Sequence, residues 1–563
     1  MLGVDNVLSH PADAVSQRNG QNHGGQDHGG QNHSGKDHDG HHGGDGHGAA
    51  ESNSGLRRAV GIWGSYTWGY ADVGADVYVA LGLVVAAAQG GAPLAFAITG
   101  LIYMFIGLAY TELAATYPVA GGGQYYTLRG LGDFLGFTSG WALLLDFTID
   151  VSLFALSSAG YINFFFPKLQ HQPWLAIEGI DGIIFLIFLN IRGIRESSRM
   201  NEIFCAVDML NESLIILFGF LFAWDPGLLQ HQFITAFPST RQFLYGASIA
   251  IISFVGLESV SQAAQETIRP ATVVPRTSLA LIFTVLIYAL SFSVLGLGIL
   301  PWNVIAANQG DPVAVLAHHI PFIGFIAGPF TAILAATLVF ASANTGVMGY
   351  SRITWSMSRF KLLPSWFEAV HEKYSTPHRT IIVFSVLAIV EVILASLSAN
   401  AYDTLANLYA FGAVSGYVLV LISLVKLRFS DPYSPRPYKV PFNLPVTIKG
   451  RRVEVPLLAF FGLAGNIFIW VLVVWTHAIG RIAGPSWLVL GYIVYFVYRS
   501  RAGLPIFGSI KRDWENDQIR VLAEAGELEL LEQYQTALKR RDEDQAAAAV
   551  AAAHRQALTT GGK

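Results

Sequence analysis

Long apolar runs alternate with short polar stretches along most of this chain. Between residues 62 and 498, twelve runs are long enough, or nearly so, to cross the roughly 30 Å hydrocarbon core of a bilayer as helices. Lipid offers no partner for backbone N–H and C=O groups, so the runs are predicted to be helical. The predicted spans are 62–88, 93–116, 134–161, 175–191, 203–224, 243–265, 277–300, 322–349, 380–398, 404–426, 456–478 and 482–498.

Composition agrees with this pattern and divides the chain into three parts. Of 563 residues, 52% are hydrophobic and only 13% are charged, which excludes an ordinary soluble protein. We expect a tail at 1–55, a domain of twelve transmembrane helices at 56–500 and a partly helical tail at 501–563. Lysine and arginine fall mainly on one side of the predicted spans, which predicts that both termini are cytoplasmic. We expect a multi-pass protein of the plasma membrane.

The two tails have different patterns. Residues 1–55 are rich in glycine and repeat a pentad that spaces His23, His28, His33 and His38 equally. Such a composition is typical of a disordered tail, and chelation of Zn²⁺, Ni²⁺ or Cu²⁺ is the alternative. Residues 512–556 predict an amphipathic surface helix, with apolar positions at Leu522, Leu528, Leu531, Tyr534 and Leu538.

Two spans carry a related interruption. Val73-Gly74-Ala75-Asp76 in the first span is echoed by Val255-Gly256-Leu257-Glu258 in the sixth. Glycine loosens a helix, and a carboxylate in the bilayer core costs a few kcal/mol unless it faces a cavity or a cation. Matching breaks in two halves of a membrane protein indicate a binding site at a repeat interface, as in secondary transporters.

Further acids lie inside predicted spans, and no lysine or arginine lies in a span interior beside them. They must be protonated, hydrogen-bonded or neutralised by a cation, and as a group they predict an electronegative cavity. For Asp150 and Glu212 we favour a protonated acid bonded to a neighbouring helix. No nucleophile–base pair or metal-ligand spacing accompanies the cavity, so we expect no enzymatic activity, catalytic residue, cofactor, metal centre or nucleic-acid partner. The acids are Asp72, Asp76, Asp146, Asp150, Asp208, Glu212 and Glu258, with Glu112 and Glu391 nearer span ends.

Several short motifs occur in order over residues 60–500. They are Val73–Val79 with Leu81-Gly82, Tyr110-Thr111-Glu112-Leu113 with Tyr117-Pro118, Gly140-Trp141 with Asp146-Phe147, Phe254–Val260 with Glu266-Thr267, Tyr350-Ser351-Arg352 with Leu362-Leu363-Pro364, and Arg436-Pro437-Tyr438. Together they resemble the amino acid–polyamine–organocation (APC) superfamily of permeases.

The resemblance implies an all-α membrane protein of twelve transmembrane helices with a LeuT-type 5+5 inverted repeat. Helices 1 and 6 would be broken, and two extra helices would follow the repeats. Gly74 and Ala75 match the family's broken-helix motif, and Tyr78 matches its aromatic gate. On span six, Phe254 matches the aromatic position and Gly256 the break.

Two positions depart from the family pattern. Asp76 replaces the second glycine of the motif and places an acid where a substrate carboxylate normally approaches. Asp208 stands where some proton-coupled members carry a lysine, so it would ligate Na⁺ or K⁺, or shuttle a proton. Ser342 and Thr345 on span eight offer oxygen ligands to the same coupling ion, as Asp72 does. Hydrogen bonding of the two hydroxyls across a helix contact is the alternative.

We therefore expect a secondary transporter that imports an amino acid or related amine, coupled to H⁺ or Na⁺, with the lipid bilayer as its setting. The substrate ammonium would lie near Asp76, Glu258 and Asp146. One alternative is a potassium importer of the same superfamily, with Asp72 or Asp76 and Asp146 as ligands; Phe147 replaces the tyrosine that such importers tend to carry. Another is a transceptor or metal-sensing membrane module that works through the histidine tail.

Overall fold

The computed structural model describes residues 60–193, 197–374, 376–448 and 451–560. The predicted tail at 1–55, with its histidine pentads, lies outside these residues. The helices are α1 (Ile62–Gly69), α2 (Asp76–Ala88), α3 (Ala92–Thr116), α4 (Gly122–Leu131), α5 (Asp133–Ile162), α6 (Trp174–Arg192), α7 (Ser197–Phe222), α8 (Pro226–Thr235), α9 (Thr240–Ile249), α10 (Leu257–Ala263), α11 (Pro270–Ile299), α12 (Trp302–Ala307), α13 (Pro312–His318), α14 (Gly324–Arg359), α15 (His378–Ser396), α16 (Ala401–Ser430), α17 (Leu457–Thr476), α18 (Gly480–Arg501), α19 (Trp514–Glu524) and α20 (Leu528–Thr560).

Eleven helical segments in these residues are long and apolar enough to cross a membrane. The first, Ile62–Thr116, contains 55 residues and includes both the 62–88 and the 93–116 predicted spans. A continuous helix of that length would measure roughly 80 Å, more than twice the thickness of a bilayer core. A 3₁₀ turn at Gln89–Gly91 separates α2 from α3, and Gln89 has a φ of 48°. The segment is therefore a pair of helices rather than one rod.

The third predicted span forms the centre of the bundle. The apolar window of α5 is 100% buried, whereas that of α18 is only 22% buried. Helices α14 and α16 pack along α5. The acids Asp146 and Asp150 of α5 consequently lie inside the protein and not against lipid.

The sixth predicted span is broken in its middle. After α9, Ala250–Phe254 form a 3₁₀ turn, Val255 is extended, and Gly256 has a φ of 114° before α10 begins. Only glycine adopts such a backbone at little cost, so Gly256 explains the break.

The first predicted span is interrupted more gently than its motif predicted. Tyr70–Gly74 form one π-helical turn, and Ala75 keeps right-handed φ and ψ values of −67° and −22°. The chain then continues into α2 without an extended stretch. The Tyr70 ring fills the space that a side chain at Gly74 would need, because an added Cβ would lie 2.8 Å from Tyr70 Cδ2. Gly74 therefore permits tight packing inside the turn and does not unwind the helix.

Several contacts identify the two ends of the bundle. Val60 pairs with Thr267, and the Gln518 amide of α19 donates to the carbonyl of Thr116 at 2.9 Å. We call the end that carries these residues the terminal face. The turn at Gly90, whose N–H donates to Ala236 at 3.0 Å, lies at the other end, which we call the opposite face.

One acid predicted to lack a basic partner has two. The Glu112 carboxylate, at the end of α3, accepts from Arg428 Nη2 at 2.5 Å and from Arg436 Nη1 at 3.3 Å. The prediction failed because α16 extends to Ser430, beyond the predicted end at 426, and so includes Arg428. The backbone N–H of Val440 adds a third donor at 2.8 Å. This buried cluster fastens α3 to α16 at the terminal face.

The terminal face carries two structures that follow from local patterns. The connection between the predicted spans 404–426 and 456–478 contains an antiparallel hairpin, β1 (Asn443–Ile448) and β2 (Arg451–Pro456). The single helix predicted over 512–556 is two helices, α19 and α20, separated around Gly526, which has a φ of 69°. Among the predicted apolar positions, Leu522, Tyr534 and Leu538 are buried and Leu528 is exposed.

Candidate functional site

The two interruptions lie against each other. A Cβ added to Gly256 would lie 2.9 Å from the backbone nitrogen of Val73 and 3.0 Å from Asp72 Cγ. Glycine is therefore required at 256 both by the backbone conformation and by the close approach. The contact brings the π-helical turn of the first span beside the break of the sixth.

Asp72 is held by hydroxyl groups from both sides. Ser259 of α10 donates to its carboxylate, and Thr345 of α14 donates to Oδ1 at 2.6 Å. Ser342 lies 3.4 Å from the same Oδ1 and 3.4 Å from the Asp72 carbonyl oxygen. The structure thus groups Asp72, Ser342 and Thr345, three of the four residues predicted to hold a coupling ion.

Glu258 occupies the start of α10. Its carboxylate accepts from the Tyr417 hydroxyl of α16 at 2.9 and 3.0 Å and from the Gly256 N–H at 3.2 Å. The backbone N–H exposed by the break is therefore used by a side chain of the protein itself. Sequence reasoning missed Tyr417, because no local motif marks a tyrosine that reaches from another helix.

Three acids near these residues have carboxyl oxygens that no donor of the described residues reaches. They are both oxygens of Asp146 and of Asp150, and Asp76 Oδ2. Asp146 lies within hydrogen-bonding reach of the Glu258 carboxylate, so these two acids can share a proton. The carboxyl group of Asp76 lies within electrostatic reach of Asp72, Asp146, Asp150 and Glu258. We call these five residues the central acids.

The central acids are at most 3% exposed. No lysine or arginine of the described residues forms an ion pair with any of them. Burying a carboxylate without a partner is costly, so the group requires bound protons or a cationic ligand. Asp150 was predicted to bond a neighbouring helix, but it packs against Gly346, where an added Cβ would lie 2.3 Å from Oδ2.

Asp208 belongs to a separate cluster. Its carboxylate accepts from Tyr78 at 2.7 Å and from Tyr70 at 3.0 Å, and Tyr70 also lies 2.7 Å from Glu212 Oε2. A phenol has one proton to donate. Both Tyr70 contacts are therefore full hydrogen bonds only when Asp208 or Glu212 carries a proton and donates it to the phenol oxygen. The structure places Asp208 with these tyrosines and not with Ser342 and Thr345.

The two predicted aromatic positions point in different directions. The hydroxyl of Tyr78 bonds Asp208, and its backbone carbonyl accepts from Tyr161 at 2.7 Å. The ring of Phe254 stacks on Tyr103 of α3 with centroids 5.1 Å apart. Gly74 and Ala75 are buried beside the central acids and contribute backbone without a polar side chain.

Comparison with known proteins agrees with this architecture. The amino acid permease family model matches residues 64–498. The branched-chain amino acid permease of Bacillus subtilis (strain 168) is 25% identical over 80% of this chain and 95% of its own length. The methylthioribose transporter of the same organism is 24% identical over 77% of this chain and 91% of its own. Its gamma-aminobutyric acid permease is 25% identical over 63% of this chain and 76% of its own.

These relatives are permeases and transporters, and the helices of this chain suit a multi-pass membrane protein. A small molecule is therefore the cargo of this chain. The chain belongs to the amino acid permease family, within the APC superfamily.

Proposed function

We propose that this protein imports an amino acid or related amine across the plasma membrane by alternating access, with its ammonium group held by Asp76, Asp146 and Glu258. The observation that carries the proposal is the set of buried carboxyl oxygens, without donors among the described residues, at the meeting of the two interruptions. An ammonium supplies the donors that these oxygens lack, and its charge offsets theirs. The amino acid permeases among the relatives support the same class of cargo.

The break itself favours the ammonium group of the substrate, and not a carboxylate, as the group bound beside Gly256. Gly256 N–H, the donor that a substrate carboxylate would otherwise meet, is 3.2 Å from Glu258 Oε2. A substrate carboxylate there would have to displace Glu258 and approach Asp76. Like charges at contact distance repel by about 1 kcal/mol in water and by more where water is excluded.

We propose a proton as the coupling ion, held by Asp208 and Glu212. Both acids contact Tyr70, which lies in the π-helical turn, and Asp208 also contacts Tyr78 of α2. Loss of the proton would leave two adjacent carboxylates and remove one bond to Tyr70. The protonation state of Asp208 and Glu212 would then determine which hydrogen bonds join α7 to Tyr70 and Tyr78 of the first span.

The transport cycle is proposed to use twelve crossings in a LeuT-type 5+5 repeat with both termini cytoplasmic. In support, Val60 and Thr116 belong to the terminal face, whereas the turn between α2 and α3 belongs to the opposite face. The 55-residue segment would then cross twice and raise the eleven apolar segments to twelve spans.

Proteoliposomes that contain the full chain test this proposal. Uptake of radiolabelled amino acids and amines is measured with an inward proton gradient, with and without sodium. We expect accumulation of an ammonium-bearing solute that needs the proton gradient and is unchanged when sodium is replaced. A requirement for sodium would instead favour Asp72, Ser342 and Thr345 as the ion site, because their oxygens suit a hard cation.

A second candidate is an inorganic monovalent cation as cargo, favoured by the same buried carboxyl oxygens. Rubidium flux without any amine flux would support it and refute the amine proposal. A transceptor or metal-sensing role of residues 1–55 stays a prediction. Deletion of residues 1–50 tests it. If the deletion changes neither the flux nor the response of the flux to Zn²⁺, the result argues against this role.

A further inference from the structure

A cavity of about 490 Å³ opens at the opposite face, apart from the central acids. Its polar wall is formed by Arg241, Gln242 and Tyr245 of α9 and by Asp403 and Asn407 of α16. The segment after α17 closes the remaining side with small and apolar residues, among them Ala478 and Ile479. The volume is in the range of small-molecule sites.

Asp403 supplies the anionic group of the cavity lining, and Tyr245 and Asn407 hold its carboxylate. The Asn407 Nδ2 group shares its two protons among three acceptors: the Asp403 carbonyl oxygen at 2.5 Å, the Tyr245 hydroxyl at 3.0 Å and the Asp403 carboxylate at 3.3 Å. These bonds fix the amide, and its Oδ1 has no partner within the described part of the chain, although Asn407 is only 3% exposed. Asp403 accepts from Tyr245 but forms no ion pair with a described lysine or arginine. The half-buried Asp403 carboxylate can accept from a small cationic donor, such as an ammonium. Asn407 Oδ1 is too buried to be reached from the cavity, so Asn407 contributes by holding Asp403.

Arg241 supplies the complementary charge of the cavity lining. Arg241 is exposed and pairs with no carboxylate of the described residues. Gln242, the next residue, accepts from Ser239 at 3.2 Å, so its amide nitrogen remains as a donor. A guanidinium beside an amide donor suits a carboxylate. Arg241 and Asp403 line the same cavity but form no ion pair with each other, so a cationic and an anionic group are both available to a zwitterion. Ala478 and Ile479 in the same lining suit a short aliphatic side chain.

We propose that this cavity is a second binding site, which takes a zwitterionic aliphatic amino acid between Asp403 and Arg241. The proposal goes beyond the transport function, because it concerns binding outside the central acids. It would stand even if the central cargo were an inorganic cation. Tyr245 precedes the broken stretch of the sixth span by only a few residues, so an occupant links that half of the broken helix to α16.

Single-cysteine labelling tests the site directly. The chain has one cysteine, Cys205, which is buried and lies 3.5 Å from the Thr67 carbonyl. In a Cys205→Ser background, which keeps a donor there, Ala478→Cys places a thiol on the exposed wall of the cavity. The rate of reaction with a hydrophilic maleimide is measured on the full chain in lipid nanodiscs. The probes are L-valine, isobutylamine, which lacks the carboxylate, and isovalerate, which lacks the ammonium.

We expect L-valine to slow the labelling. Isobutylamine and isovalerate should each bind with at least about tenfold lower affinity, measured as the concentration that gives half-maximal protection. Arg241→Gln changes an exposed residue, so folding is preserved. It should reduce the affinity for L-valine by about tenfold, because the guanidinium is lost, and leave the affinity for isobutylamine unchanged. Asp76→Asn serves as the control for the central acids and should leave the protection by L-valine intact. The proposal is overturned if L-valine gives no protection, if Arg241→Gln has no effect on it, or if Asp76→Asn abolishes it.

Discussion

The contact between the two interruptions predicts a severe effect for Gly256→Ala. The residue has a φ of 114°, and an added methyl group would lie 2.9 Å from Val73 N and 3.0 Å from Asp72 Cγ. A left-handed backbone costs a non-glycine residue about 1–2 kcal/mol. Overpacking against atoms that cannot rotate away costs about 1–3 kcal/mol more. We therefore expect a destabilisation of about 2–5 kcal/mol, since the clash is with backbone as well as with a side chain.

A matched variant separates the two contributions. Gly526 also has a positive φ, 69°, but a Cβ added there meets no atom within 4 Å. Gly526→Ala should therefore show only the conformational part, about 1–2 kcal/mol, and normal transport. The difference between the two variants measures the contact between the first and sixth spans.

Two measurements on the purified chain check this prediction. Unfolding in detergent, followed by intrinsic fluorescence, compares the stability of both variants with that of the wild type. The initial rate of uptake in proteoliposomes compares their transport. Gly256→Ala should lower this rate by at least about tenfold, because relieving the clash moves α10 away from Asp72. If Gly256→Ala matches Gly526→Ala in both stability and uptake, the two spans do not meet in the way described and the central site loses its geometric basis.

Three further predictions concern single side chains. Asp76→Asn should keep stability, because Oδ2 has no partner among the described residues, and should reduce uptake of ammonium-bearing solutes at least about tenfold; unchanged uptake kinetics would refute its role. Tyr70→Phe should change the pH dependence of uptake by removing the hydroxyl shared by two acids, whereas Tyr66→Phe, whose hydroxyl bonds Thr284, should not; equal profiles would contradict proton coupling there. Burial lowers the pKa of His477 to about 3, so the unfolded state binds a proton first and stability should fall as pH drops below about 6.5. Thermal melting should show this loss in the wild type and less of it in His477→Gln, and parallel pH profiles would exclude His477 as the cause.

Much of the architecture could be predicted from local patterns. Apolar runs of membrane length mark helices because an unpaired backbone group in lipid is costly. The break at Gly256 was also predictable, since a glycine followed by a buried acid disfavours a continuous helix. The same reasoning overestimated the first interruption, because it did not know that the Tyr70 ring would fill the space beside Gly74.

The partners of the acids were less predictable. Glu112 was expected to lack a cation, but Arg428, more than three hundred positions later, reaches it from α16. Asp208 was grouped with Ser342 and Thr345, whereas folding directs it to Tyr70 and Tyr78. Each of these contacts joins helices that are distant in the chain.

The sequence by itself determined that this chain is a helical membrane protein of the permease type, with acids placed in its spans, because hydrophobicity and backbone hydrogen bonding act locally. Tertiary structure decided which acids share a site, which are paired, and which are left without donors. The reason is physical: the charge state and ligand of a buried carboxylate depend on the atoms within a few ångströms, and in a helical bundle most of those atoms come from other helices.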